Sequence, residues 1–342
     1  MKYAEPQTPF ISSPQILFHP KKNTFSGFLR YDNKSHLTGN TSCPGRKKPL
    51  NNNQMRLDGR RTSSNVEDRR GLSGGAKIAG GGIGGLIIAA LLIWISGGNP
   101  LSVLNGSSGS FATSNEIRSD YQPTEKEEQY AEFAKKILAG TEDVWTEEFQ
   151  KMGLTYRAPK MVLYTGSVKS GCGSATSAVG PFYCSADETL YIDLSFFEQM
   201  EQQMKAGGDF AYAYVIAHEV GHHVQHLLGT LSQTHEQMAR LPEAEANRIS
   251  VRTELQADYY AGVWAYHDNR MFGSLEPGDI EEGLNAASKI GDDYLQKQAQ
   301  GYAVPETFNH GRSDQRVRWL EKGARTGDIR SGDTFSPSYS DL

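Results

Sequence analysis

The clearest chemical pattern in the chain is HEVGH, which runs from His218 through Glu219 to His222. The apolar run before it, residues 214–217, predicts that the pattern lies on a buried helix. Two histidines four residues apart share one face of a helix, so both imidazoles can reach one Zn²⁺. Glu219 would then lie where it can take a proton from a zinc-activated water. A solvated face of His and Glu is the alternative, but charged residues in a buried helix need a partner.

A catalytic zinc usually has three protein ligands and one open position. One common pattern would need Gly and His where the chain has Gln225 and Leu228. We therefore expect the third ligand to be Glu254, on a following helix. Asp258 lies four residues later on the same face, where it can accept the N–H of a ligand histidine and fix its tautomer. An exposed carboxylate pair is the alternative, and the apolar residues between 257 and 264 argue against it.

Another candidate site residue is His310, which precedes a helix predicted to start at Ser313. Zinc peptidases usually need an electrophile besides the metal to stabilise the developing oxyanion. His310 could fill that role, or it could be structural. Arg316 either bonds backbone carbonyls of the same turn or is solvated. Four further histidines are interpreted as structural or surface residues, namely His223, His226, His235 and His267.

Two of the three cysteines, Cys172 and Cys184, enclose eleven residues of mostly small and aromatic side chains. Outside the cytoplasm they would form a disulfide that contributes about 2–4 kcal/mol. Two free buried thiols are the alternative. Cys43 lies far from this pair and is interpreted as a plain thiol.

The composition excludes several classes of protein. The 342 residues are 37% hydrophobic and 22% charged, which excludes a polytopic membrane protein or a fibre. Residues 1–77 carry 14 Lys and Arg against 5 Asp and Glu, whereas the remainder carries 21 against 35. A basic arm before an acidic body is typical of nucleic-acid binding or of a membrane boundary.

Residues 78–96, IAGGGIGGLIIAALLIWIS, contain no charge and predict a transmembrane helix. Basic residues precede this stretch and none follows before Arg118, so we expect a cytoplasmic N-terminus and a body in the periplasm or outside the cell. We interpret the stretch as an uncleaved anchor in the bacterial inner membrane, which leaves no role for nucleic acid. A cleaved signal peptide and a buried core helix are the alternatives. GxxxG spacings that could join two anchors in a homodimer occur at Gly80/Gly84 and Gly81/Gly85.

The body combines few early strands with many later helices. A capping box at Thr124 predicts a helix that stops near Gly140, followed by a second one from Glu142. Strands are predicted at 160–165 and 189–194, and helices from Ser195, Asp209, 243, Asp279 and Ser313. The fold class is therefore α+β, mainly helical, with one transmembrane helix before it. The predicted domains are a disordered tail or mis-assigned start at 1–54, a basic cytoplasmic juxtamembrane segment at 55–77, the anchor at 78–96, a Gly/Ser-rich linker at 97–122, the catalytic domain at 123–330 and a disordered tail at 331–342.

Several longer segments carry a resemblance to a known family. They are MRLDGRRTSSNVEDRRG from Met55, the Gly-rich anchor, GCGSATSAVGPFYCSADETLYIDL, IAHEVGHHVQ, RTELQADYYAGVWA, DIEEGLNAASKIGDDYLQKQ and FNHGRSDQRVRW. Together they resemble the bacterial neutral zinc metallopeptidase family. The resemblance implies a single-pass membrane protein with a zincin-like domain whose third ligand is Glu, a gluzincin. The segment at His310 is also similar to the His-Pro…Arg segment of CAAX-processing zinc proteases, which favours a catalytic role. The family pattern begins at Met55, which we expect to be the start; an added cytoplasmic tail is the alternative.

We therefore predict a membrane-anchored zinc endopeptidase that hydrolyses peptide bonds in a protein or peptide substrate by a zinc-activated water. The alternative is a non-catalytic, zinc-stabilised protein-binding or chaperone-like module. Glu219 favours the enzyme, because zinc binding alone does not need a general base.

Overall fold

The computed structural model describes residues 54–73, 116–117, 121–176 and 179–342, which all belong to one structural unit, Leu50–Leu342. We call residues 54–73 the N-terminal segment. The predicted tail at 1–53 and the predicted anchor at 78–96 lie outside the described residues. Within the described ranges, no helix combines the length and the apolar character that a membrane span requires.

The main sheet has four strands in the order β1–β4–β8–β7. Its three parallel strands are β1 (Val66–Asp68), β4 (Lys160–Tyr164) and β8 (Thr189–Asp193). The fourth strand, β7 (Phe182–Cys184), pairs antiparallel with β8 and forms one edge. Two small antiparallel pairs accompany the sheet. They are β2 (Leu72–Ser73) with β3 (Glu116–Ile117), and β5 (Ser167–Ser170) with β6 (Gly173–Thr176).

Helices make up most of the described body, which confirms the α+β, mainly helical class. In chain order they are α1 (Glu125–Lys151), α2 (Ser195–Gln202), α3 (Asp209–Leu227), α4 (Thr230–Met238), α5 (Glu243–Phe272), α6 (Asp279–Lys289), α7 (Asp292–Gln300) and α8 (Ser313–Thr326). The predicted helix starts at Ser195, Asp209, Asp279 and Ser313 agree with these bounds. Helix α3 is buried along most of its length because α1, α5 and α6 surround it.

The predicted break near Gly140 is absent, and α1 continues through that residue. Glycine is unfavourable inside a helix, so another need must account for it. A Cβ atom at Gly140 would lie 2.7 Å from both Arg60 Nη2 and Asp268 Oδ1. The glycine therefore makes room for an ion pair that crosses the helix, rather than ending the helix.

Helices α5 and α8 approach each other backbone to backbone. A Cβ atom at Gly262 would lie 2.3 Å from the carbonyl oxygen of Leu320, and one at Gly323 would lie 2.1 Å from that of Tyr259. These distances are too short for any side chain, so glycine is required on both helices. The close crossing fixes how α8 presents Arg316 to α5.

Two predicted boundaries of the catalytic domain differ from the structure. The described part of the predicted juxtamembrane segment contributes β1 to the main sheet, because its backbone pairs with β4. The predicted disordered tail at 331–342 is packed against α5, where Arg252 donates to the carbonyl oxygens of Phe335 at 3.1 Å and Pro337 at 2.9 Å. Leu342 is fully buried. The folded body therefore extends further at both ends than the helical pattern indicates.

Candidate metal centre

Three side chains from two helices converge on one point. Helix α3 provides His218 and His222, whose ring centroids lie 4.8 Å apart, and α5 provides Glu254. Glu254 Oε2 lies 3.2 Å from His218 Nε2, and Oε1 lies 3.4 Å from His222 Nε2. One donor atom from each of the three residues lies within 4.8 Å of the donor atoms of the other two. Two imidazole nitrogens and a carboxylate oxygen form a donor set that zinc prefers in catalytic sites, so these residues fit that ion.

A glycine allows the two ligand helices to approach. Gly221 lies between the two histidines on α3 and faces α5, where a Cβ atom would lie 2.9 Å from the carbonyl oxygen of Ala257. Backbone contact at this point lets the short carboxylate of Glu254 reach both rings. Gly221 of the HEVGH motif thus contributes to the geometry of the site.

Asp258 orients His218 through a hydrogen bond to the ring. The His218 Nδ1–H donates to Asp258 Oδ1 at 2.8 Å, which leaves Nε2 directed at Glu254. Tyr214 donates its hydroxyl proton to the same oxygen at 2.6 Å, and Arg316 donates Nε–H to Oδ2 and Nη2–H to Oδ1, each at 2.9 Å. Burial by itself raises the pKa of Asp258, but Arg316 and His218 lower it below the ordinary value. Asp258 is therefore an ionised orienting group.

The other two carboxyl groups of the centre have opposite pKa shifts. Burial raises the pKa of Glu254, but the attraction of His222 and the hydrogen bonds with the two histidines outweigh it and lower that pKa well below the ordinary range. Glu219 is 8% exposed, and burial raises its pKa despite the opposing effect of His218 and His222. A carboxylate with a raised pKa accepts protons more readily near neutral pH, as a general base must.

His310 lines the same cavity as the three converging side chains. Asp292, the first residue of α7, accepts the backbone N–H groups of His310 at 2.7 Å and Gly311 at 2.8 Å. Its other oxygen lies 3.1 Å from His310 Nδ1. Burial lowers the pKa of His310, but Asp292 and Glu254 raise it by more. The pKa of His310 therefore lies above its ordinary value.

A cavity of about 630 Å³ contains this centre. The polar residues described above line it, together with His235, Thr253 and Asn309. The remaining described walls are largely apolar and include Phe182, Phe196, Met204, Val215, Leu231 and Met238. The β5–β6 hairpin forms a further wall, and the predicted disulfide Cys172–Cys184 is present and ties this hairpin to the end of β7.

His223 and His267 have structural contacts, whereas His235 lines the cavity. His223 is buried, donates from Nε2 to the carbonyl oxygen of Arg157 at 2.6 Å and accepts the Tyr183 hydroxyl at 2.8 Å on Nδ1. Burial lowers its pKa to about 4. His267 Nε2 lies 2.8 Å from the carbonyl oxygen of Gly327 and 3.3 Å from Glu148 Oε1. Sequence reasoning missed Tyr214 and Asp292, and it did not pair Arg316 with Asp258, because these contacts join residues far apart in the chain.

The mainly helical α+β fold and its His-His-Glu centre are those expected of a zinc-binding protein. The comparisons with known proteins agree. The family described as "Putative neutral zinc metallopeptidase" matches residues 55–335. The chain belongs to this family, which implies zinc at the centre. YpfJ of Escherichia coli (strain K12), which carries the description uncharacterized, is 47% identical over 290 residues, which are 83% of this chain and 100% of YpfJ. Rv2575 of Mycobacterium tuberculosis (strain ATCC 25618 / H37Rv), described in the same way, is 47% identical over 191 residues, which are 53% of this chain and 64% of Rv2575. No solved structure matches the chain.

Proposed function

We propose that the protein is a zinc-dependent endopeptidase with a zincin-like domain of the gluzincin type. The observation that carries the proposal is the convergence of His218, His222 and Glu254 beside Glu219 in one cavity. The three converging residues would hold the ion. When bound, zinc supplies a Lewis acid that polarises the scissile carbonyl and lowers the pKa of a water.

Glu219 performs the proton transfers. It takes a proton from the attacking water as the new carbon–oxygen bond forms, and it delivers that proton to the amide nitrogen as the carbon–nitrogen bond breaks. Its raised pKa suits proton acceptance, because the carboxylate is a stronger base than an ordinary glutamate. Binding of zinc alone would not require a buried carboxyl group at this position.

His310 stabilises the oxyanion. The contacts of Asp292 with Nδ1 and with two backbone N–H groups fix the ring and its turn. The neighbouring carboxylates raise the pKa of His310 and so favour its protonated form, which lines the cavity and can stabilise the carbonyl oxygen as negative charge develops there. Asp258, with Tyr214 and Arg316, keeps His218 in the tautomer that directs Nε2 to the centre.

The cavity walls indicate the kind of substrate, and the disulfide indicates the cellular location. The mainly apolar lining favours a peptide with a large apolar side chain next to the scissile bond. The Cys172–Cys184 bridge supports a location outside the cytoplasm, since disulfides persist in oxidising compartments.

The test compares the full-length wild type with Glu219→Gln on a proteome-derived peptide library. We expect the variant to keep about one zinc per chain and to lose cleavage, because the amide cannot accept the proton. Glu321→Gln, an exposed change on α8, is the matched control and should cleave like the wild type. A wild type that binds zinc but yields no cleavage products beyond those of Glu219→Gln would favour the non-catalytic module.

A further inference from the structure

The N-terminal segment is folded into the same body as the metal centre. Its strand β1 forms an edge of the main sheet and pairs in parallel with β4, from Val66↔Met161 to Asp68↔Leu163. The pairing continues beyond the strand, where the Met161 N–H donates to the carbonyl oxygen of Asn65 at 2.8 Å. Paired strands lie about 4.8 Å apart, whereas the core of a bilayer is about 30 Å thick. Strands β1 and β4 must therefore lie on the same side of any membrane.

Side chains of the segment occupy sites that the body provides for them. Arg60 donates to both carboxylate oxygens of Asp268, at 2.8 and 3.3 Å, and the two side chains are 10% and 2% exposed. Gly140 lacks the Cβ atom that would collide with this pair. Ser63 donates to Glu142 Oε1 at 2.6 Å in a buried contact. Because these partners lie on α1 and α5, the segment is part of the fold rather than an appended arm.

The chain leaves this body and returns to it at the same place. Strands β2 and β3 pair antiparallel, and their register places Leu72 opposite Ile117 and Ser73 opposite Glu116. The sequence of the intervening residues has the single apolar stretch at 78–96, and residues 97–115 are rich in Gly, Ser and Asn. A return crossing would need a second apolar stretch of about 20 residues.

We propose that residues 54–73 and 121–342 face the same aqueous compartment, so that the chain between Ser73 and Glu116 does not carry the N-terminus to the other side of a membrane. This topology differs from the single crossing that the charge distribution predicts. Exchange of β1 between two copies would not alter the conclusion, because all copies insert in the same orientation.

Thiol accessibility in the full-length chain tests the proposal. In a Cys43→Ala background, single cysteines replace exposed residues of the segment (Asp58 or Gln54) or of the body (Tyr302, 61% exposed, or Leu154, 47% exposed). Spheroplasts of Escherichia coli that express each variant are treated with a membrane-impermeant maleimide before and after lysis. We expect the segment and body positions to label to the same extent before lysis. If one group labels before lysis and the other only after it, the proposal is overturned.

A cross-link gives a second, independent measurement. Arg56 and Glu276 form an ion pair between the segment and the body, so Arg56→Cys and Glu276→Cys introduce two neighbouring thiols on the surface. A short bis-maleimide applied to membranes of the double variant should join them within one chain, and peptide mass spectrometry detects the product. Failure to cross-link in a chain whose Cys172–Cys184 bridge has formed would contradict the proposal, since that bridge reports a folded body.

Discussion

The Arg316 guanidinium holds the Asp258 carboxylate with two parallel hydrogen bonds, each 2.9 Å long, in the buried layer behind the metal centre. Asp258 in turn accepts the N–H of His218 at 2.8 Å. Arg316 therefore acts on the centre mainly through Asp258 and His218, and its Nη2 also lies 3.5 Å from His218 Nδ1. Such outer contacts orient the ligand ring and typically change metal affinity 10–100-fold when they are removed.

We predict that Arg316→Met weakens zinc binding by about 10–100-fold. It should also lower the free energy of unfolding by about 3–5 kcal/mol, because Asp258 is left as a buried carboxylate without its cation. Arg316→Lys keeps the charge but loses the planar pair of donors, so its zinc affinity should lie between those of Arg316→Met and the wild type. Competition with a chelator measures the affinity, and denaturant unfolding measures the stability.

Arg318→Met is the matched control for that series, because Arg318 lies on the same helix but pairs with the exposed Asp314. It should leave the zinc affinity unchanged. If Arg316→Met and Arg318→Met bind zinc equally well, Asp258 orients His218 without help from the guanidinium.

The proposed ligands make a direct prediction about metal content. His222→Ala removes one of three donors, so the purified full-length variant should hold much less than one zinc per chain by elemental analysis. His226→Ala is the control, since His226 lies one turn further along α3 and contacts Glu188 at 3.3 Å instead. Full zinc occupancy in His222→Ala would remove this residue from the ligand set, and a loss of zinc in His226→Ala would add that residue to it.

Acidic groups at the start of α3 and α6 predict a pH dependence of stability. Burial, followed by repulsion from Asp279, raises the pKa of Glu282 to about 7 and that of Asp209 to about 6. Both values exceed the unfolded-state values of about 4, so ionisation costs free energy only in the folded protein. The contribution of Glu282 and Asp209 to the free energy of unfolding is therefore greatest below about pH 4. It is lost as the pH rises through their folded-state pKa values.

Glu282→Gln removes part of that cost. We expect it to raise Tm at pH 8 relative to the wild type and to have little effect at pH 4, where the native carboxyl group is already protonated. Glu281→Gln, a change at the exposed neighbouring residue on α6, should have no pH-dependent effect. Thermal unfolding followed by circular dichroism at both pH values measures the difference, and an equal change of Tm at pH 4 and pH 8 would argue against this cause.

Local spacing predicted the three side chains that converge and Asp258 beside them, but not the contacts of Arg316 and Tyr214 with Asp258. His218 and His222, and likewise Glu254 and Asp258, are four residues apart, a separation that a helix turns into proximity. Arg316 lies 58 residues from Asp258, and Tyr214 lies 44 residues from it. No local pattern connects residues at such separations; the backbone crossing of α5 and α8 brings the first pair together.

The N-terminal segment shows a second limit of sequence reasoning. Strand β1 is only three residues long, reads Val-Glu-Asp and has an exposed outer face, so it lacks the apolar alternation by which strands are recognised. The basic residues near it suggested a membrane boundary. In the structure, several of these cations are used inside the fold, as in the pair between Arg60 and Asp268.

The oxyanion role of His310 makes the last prediction. Its turn is fixed by Asp292, which accepts the backbone N–H groups of His310 and Gly311, so His310→Ala should leave the turn and the zinc ligands in place. If the ring acts mainly in the transition state, kcat should fall by about 10²-fold or more, with little change in KM or zinc content. Stopped assays on a peptide that the wild type is found to cleave measure kcat and KM, and elemental analysis measures the zinc content.

Two further variants distinguish an oxyanion role of His310 from a ligand role or a structural role. Asp292→Asn weakens the hold on the His310 ring, so it should also lower kcat, whereas His235→Ala, at another cavity histidine, should not. Loss of zinc from His310→Ala would instead make His310 a ligand and place the role of Glu254 in question. A variant that keeps both its zinc and its rate would show that His310 is structural, and the donor for the oxyanion would then have to come from another residue of the cavity wall.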